Sequence, residues 1–222
     1  MKGIWILLFI ILSSALPAIL VFFWFRSKKP AVTLPWFLAS LAAGFISFLL
    51  SALVHDLFFP KGVDTLWPVL FTIFVRIALV EESSRLVVLL PFLKKSKNSQ
   101  YNDSSFGAAL GLVAGLGFAV IESAFHGITN VNITVLRLFT TAPLHGACGI
   151  RAGKVVFTLR KNPLKAVFLF ASTVLIHGTY NLIIVSPAYP SALSAVIAFA
   201  ALFASFNHLK ADNREDTSCS LQ

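Results

Sequence analysis

Residues 66–93 read LWPVLFTIFVRIALVEESSRLVVLLPFL, an apolar run that carries Glu81 and Glu82 side by side. About 20 predominantly apolar residues are enough for one helical crossing of a bilayer, so the run reads as a transmembrane helix. An ionisable side chain at that depth costs at least a few kcal/mol and marks a functional group by default. Glu122 is a third acid in such a setting, and His145 and His177 sit near the middle of two further apolar runs. Three of the nine acidic residues in the chain therefore lie where lipid disfavours them. The pattern predicts chemistry inside the membrane.

Around that segment the whole chain has the same character. Hydrophobic residues make up 57% of it, charged residues 12%, and the mean hydropathy is +0.84. A soluble domain has about 25% charged residues, so that class is excluded. Apolar runs cover Ile4–Phe25, Ala31–Val54, Leu66–Leu93, Ser105–Phe125, Thr134–Leu159, Leu164–Val185 and Ser191–Phe206. The expected fold is all-α, a polytopic bundle of seven transmembrane helices forming one domain over 1–210, followed by a short polar tail over 211–222. Lysine and arginine alternate by side. One side receives Arg26, Lys28 and Lys29, then Lys94, Lys95 and Lys97, then Arg160, Lys161 and Lys165, and finally Lys210 and Arg214. The opposite loops hold Lys61, besides Lys2 at the start. The positive-inside rule then places the amino terminus outside and the carboxyl terminus in the cytoplasm, in a multi-pass protein of the cell membrane. That bias explains most of the formal +9 charge without a nucleic-acid partner. Ile4–Leu12 followed by Ser13-Ser14-Ala15 imitates a signal peptide. The run continues to Phe25, so a retained first helix is expected; cleavage would leave six spans. Trp36 and Trp67 stand near span ends, as interfacial anchors do. Asn132-Ile133-Thr134 is a formal glycosylation acceptor. Cys148 and Cys219 are badly placed for a disulfide.

The polar residues can be weighed one by one. Glu81 and Arg85 are four apart on a helix and can neutralise each other, while Glu82 points about 100° away toward a different neighbour. A buried ion pair that merely joins helices would explain Glu81 with Arg85 but leaves Glu82 over. One arginine does not compensate two carboxylates, so one of them is expected to hold or exchange a proton, as a general acid–base group must. Gly107, Gly111 and Gly115 recur every four residues, a spacing that lets helix backbones approach closely in lipid. Glu122 projects from the same face into the bundle. His145 lies among small residues, and Asn181 follows His177 by one turn. His55, His126 and His208 lie at span ends, where reaching water explains them. Arg137, at the entrance to the fifth run, could reach an acid such as Glu122, whereas Arg151 and Lys154 read as topology determinants.

In order along the chain, Glu81-Glu82-Ser83-Ser84-Arg85, Gly117-Phe118-Ala119-Val120-Ile121-Glu122-Ser123, Arg137 with Pro143-Leu144-His145-Gly146, and His177-Gly178-Thr179-Tyr180-Asn181 resemble the PrsW family of intramembrane proteases. That family is related to the type II CAAX prenyl endopeptidases. The resemblance spans residues 66–185. Two positions depart from its pattern: Arg85 stands where lysine is usual, which keeps the charge, and Ser123 where asparagine is usual, which removes an amide donor. The resemblance implies hydrolysis of a peptide bond within or beside the bilayer. The implied substrate is a membrane-anchored protein or peptide, such as an anti-sigma factor.

On that basis Glu81, Glu82, His145 and His177 are the expected catalytic residues, with Arg85, Glu122 and Asn181 in support. Glu81 or Glu82 would activate a water, the coupled doublet leaving the choice between them open. His145 would orient that water or protonate the leaving amine, and His177 and Asn181 would donate to the oxyanion. No cofactor is expected. Zinc remains an alternative, held by Glu81, Glu122, His145 and His177. Two other classes compete. A non-catalytic seven-span scaffold would resemble the scaffolding subunit of γ-secretase, and a proton-coupled transporter would use the acids and histidines as a relay.

Overall fold

The computed structural model describes residues 2–28, 32–58, 66–95, 104–127, 131–186, 188–190 and 192–210. Every regular element among them is helical. They are α1 (Lys2–Lys28), α2 (Leu34–Phe58), α3 (Leu66–Phe71), a π-helical segment (Thr72–Leu79), α4 (Val80–Lys95), α5 (Ser104–Gly127), α6 (Val131–Thr158), α7 (Pro163–Val185) and α8 (Ala192–Lys210). Since α3, the π segment and α4 run on without a break, the described residues form seven rods. The all-α expectation holds. Lys29, Lys61, Lys97, Cys219 and the tail lie outside the described residues, as do the side chains of Trp67, Lys94, Lys95, His126, Asn132, Ile133, Thr134 and Arg137.

Four helical stretches are long and apolar enough to cross a membrane: Leu34–Phe58, Ser104–Phe125, Pro163–Val185 and Ala192–Leu209. Two of the remaining rods carry charge. Arg76, Glu81, Glu82 and Arg85 interrupt the third, and Arg137, Arg151 and Lys154 interrupt α6. Large apolar side chains face outward along the bundle, among them Phe9 at 65%, Leu49 at 63% and Phe203 at 73% exposure. A soluble monomer does not present such a surface, and lipid is the solvent that suits it.

One helix organises the rest. In α5, 89% of the apolar stretch is buried, against 28–33% in α2, α7 and α8. Its sequence SSFGAALGLVAGLGFAVIESAFHG is small enough along two faces to admit neighbours at backbone contact. Facing α6, a methyl group at Gly111 would strike the Gly149 carbonyl and one at Gly115 the His145 carbonyl. Facing α2, a methyl at Gly117 would strike the Leu41 carbonyl, and one at Gly44 would strike the Ala114 carbonyl and the Phe118 amide. Without a hydrophobic force between helices in lipid, this close approach supplies the association through dispersion. Thus the glycine spacing read from the sequence is a packing device, and it fixes the height of His145 against α5.

The remaining rods close the bundle. Asn162 caps α7, its side chain accepting from the Lys165 amide at 2.9 Å, with Pro163 in the first turn. Arg151, half-buried rather than merely terminal, donates from Nη1 to Ser172 at 2.8 Å and from Nε to Ser205 at 3.0 Å, tying α6 to α7 and α8. Trp36 packs edge-on against Phe106 at 5.5 Å, joining α2 to α5.

Candidate active site

Glu81 and Glu82 open α4, directly after the π segment. A π turn carries one extra residue per hydrogen-bonded ring and is frequent beside functional sites. Here it docks on α7, where Gly178 leaves just the room taken by the Phe74 ring. His177, the residue before that glycine, is thereby brought level with the first turn of α4.

The side chains then converge. Glu82 accepts from Arg85 Nη1 at Oε2 and from His177 Nδ1 at Oε1, the latter at 2.8 Å. Arg85 Nη2 donates to His145 Nδ1 at 3.0 Å. A guanidinium only donates, so His145 Nδ1 accepts, its Nε2 carries the hydrogen, and it donates to Glu122 Oε2 at 2.6 Å. The sequence paired Arg85 with Glu81; the structure pairs it with Glu82 at the three-residue spacing instead. The reason lies on another helix. Turned that way, the guanidinium fork reaches His145 as well, and one arginine links a carboxylate to an imidazole lone pair.

Glu81 stands apart from this network. Its Oε2 is buried and has no hydrogen-bond partner, and it lies 3.6 Å from His177 Nε2. Because His177 donates through Nδ1 to Glu82, Nε2 is the ring nitrogen left facing Glu81. A separation just beyond hydrogen-bond length, between two atoms that each want a partner, is a place for a water or an ion. Glu82 is fully buried, and Arg85, His145 and His177 are buried with it. Asn181, one turn beyond His177, is buried too.

A metal ion fits part of this arrangement. Glu81, His145 and His177 each offer a ligand atom within 4.8 Å of the others, and so do Glu82, Cys148 and His177. The first set has the carboxylate and imidazole chemistry of a hydrolytic zinc site, with Glu82 as the carboxylate that orients a ligating histidine. Charge agrees: three carboxylates face one guanidinium, so the cluster must take up protons or a cation. His145 would join such a site only by releasing Arg85 or Glu122. Glu122 belongs to neither set, and instead holds His145.

Sequence reasoning passed over two neighbours. The Phe118 ring lies 4.6 Å from the His145 ring and 4.8 Å from the Arg85 guanidinium, a stacking and cation–π contact in one. Cys148 brings its thiol to Glu82 and His177. Both were reachable by helical spacing, Phe118 being four residues before Glu122 and Cys148 three after His145. The proximity of Arg137 to Glu122 falls on a side chain outside the described residues.

An all-helical bundle with a lipid-facing surface and a buried carboxylate–histidine centre has the parts of a membrane-embedded hydrolase. The family model described as PrsW family intramembrane metalloprotease matches residues 29–206, and the chain belongs to that family of intramembrane proteases. Among curated proteins and solved structures, none matches the chain.

Proposed function

We propose that this chain hydrolyses a peptide bond in a membrane-anchored protein, with Glu81 activating the attacking water. The observation that carries the reading is the unpartnered Oε2 of Glu81, facing His177 Nε2 across 3.6 Å while both oxygens of Glu82 are engaged. A water between them donates to Glu81 Oε2 and is aligned by His177 Nε2. Glu81 takes its proton as the oxygen attacks the peptide carbonyl, then returns that proton to the leaving nitrogen. Glu82 does not act as the base, since both its oxygens are engaged; it holds His177 in the required tautomer. Arg85 keeps Glu82 charged and turns His145, which Glu122 anchors from the other side. Asn181 supplies an amide donor for the oxyanion.

A zinc-type ion, if held, would sit on Glu81, His177 and His145. When bound it would polarise the carbonyl and make the water more acidic. We further propose that the chain crosses a cell membrane seven times with its carboxyl terminus in the cytoplasm, and that its substrate is a single-span regulator such as an anti-sigma factor. The charge alternation supports the former, and the lipid-facing apolar surface supports a substrate that arrives within the bilayer.

The test is reconstitution. Purified protein in proteoliposomes should cut a single-span peptide into two products, and chelation with metal analysis then assigns the metal. Intact peptide under all metal conditions would overturn the proposal in favour of a scaffold or carrier.

A further inference from the structure

One layer of polar side chains next to the centre holds, besides Asn181, groups with no assigned role. The Thr140 hydroxyl lies 2.6 Å from the Tyr180 hydroxyl, and the His145 and His177 rings meet at 5.1 Å. These two contacts fix α6 and α7 as antiparallel neighbours, with Thr140, Thr141, Tyr180 and Asn181 stacked one turn from the histidines. All four are buried. Within this layer the Thr141 Oγ1 has no hydrogen-bond partner, although the residue is only 1% exposed. An unsatisfied buried hydroxyl is destabilising, and a valine of the same shape would avoid that. Thr141 precedes His145 by four residues, so both point from one face of α6. Pro143, in the same turn, cannot donate to the Phe139 carbonyl, which leaves a second polar atom there without its helical partner.

We infer that Thr141 is part of a substrate-backbone subsite, its hydroxyl bonding the main chain of an extended peptide bound across the centre. This rests on the protease reading above. The spacing suits it. Thr141 lies roughly 6 Å along the helix axis from His145, and two residues of extended peptide span about 6.8 Å. A main-chain group two residues along an extended peptide from one level with His145 therefore comes level with Thr141. The ligand is the peptide backbone, so the contact is indifferent to side-chain identity.

The experiment measures binding and cleavage of a fluorescent single-span peptide by wild-type protein, Thr141→Val, Thr141→Ser and Ser40→Ala in proteoliposomes. Ser40 on α2 is another buried hydroxyl without a hydrogen-bond partner and serves as the control. Thr141→Val should melt at or above the wild-type temperature, yet bind the peptide about tenfold more weakly and raise KM by a similar factor, with kcat little changed. Thr141→Ser should bind as wild type, and Ser40→Ala should leave KM unchanged. Wild-type affinity in Thr141→Val would overturn the subsite and leave the protease reading intact. So would a lower melting temperature with unaltered affinity, which marks a structural hydroxyl. A wild type that binds the peptide without cutting it, with Thr141→Val weakened, would keep the subsite and overturn the protease reading.

Discussion

The α5–α6 seam and the α4–α7 contact are both helix pairs in one apolar bundle, held together in opposite ways. Along the seam the backbones touch, because Gly111 and Gly149 each lie against the other's carbonyl. Between α4 and α7 the helices meet through side chains, Glu82 with His177 and Glu81 opposite it. The seam gains many small dispersion contacts and tolerates no added atom. The polar contact gains a few strong hydrogen bonds and depends on each partner being charged or oriented correctly. A hydrolytic centre needs the second kind of contact, and the first kind holds it still, since the Gly115 position presses on the carbonyl of His145 itself.

Three substitutions separate the two modes. The largest loss is expected from Glu82→Gln, which leaves the Arg85 charge buried without its counter-ion. Removing one partner of a buried pair costs about 3–5 kcal/mol, so chemical unfolding in detergent should show a collapse of stability with loss of cleavage. Unchanged stability would mean that the pair is not the anchor of the polar contact. Gly111→Val should come next, because its side chain meets the backbone of α6. Overpacking costs about 1–3 kcal/mol, and a thermal melt should register it with proportionate loss of activity, since the backbones are forced apart. Arg85→Lys should be mildest. The charge beside Glu82 remains while the fork to His145 is lost, and kcat should fall about tenfold with the melting temperature nearly unchanged. Equal damage from the lysine and from Glu82→Gln would argue that His145, not Glu82, is what Arg85 principally serves.

The seam was the more legible region. Glycines every four residues state their purpose in the sequence, because a helix puts them on one face whatever surrounds it. Long apolar runs likewise gave the rods, and Glu81, Glu82, Glu122, His145 and His177 stood out as costly in lipid. The polar contact was legible in composition but not in wiring. Spacing pointed Arg85 at Glu81, four residues before it, and the structure turns it to Glu82, where it also meets His145 Nδ1, sixty residues away. The π segment ahead of Glu81 has no residue that signals it; it lies where Phe74 docks against Gly178 on another helix. Phe118, Cys148 and Thr141 escaped for a related reason. Each is an ordinary residue in a helical run, and only its distance from the centre makes it informative.

The most direct measurement is peptide cleavage by Glu81→Gln in proteoliposomes, beside wild-type protein and with the melting temperature of both. The amide keeps the shape of the carboxylate and disturbs none of the hydrogen bonds around Glu82, but cannot take a proton from water. Cleavage should fall by about 10³-fold, roughly 4 kcal/mol of barrier, with the melting temperature retained. A folded Glu81→Gln protein that cuts at the wild-type rate would contradict the assignment of Glu81 as the group that activates water.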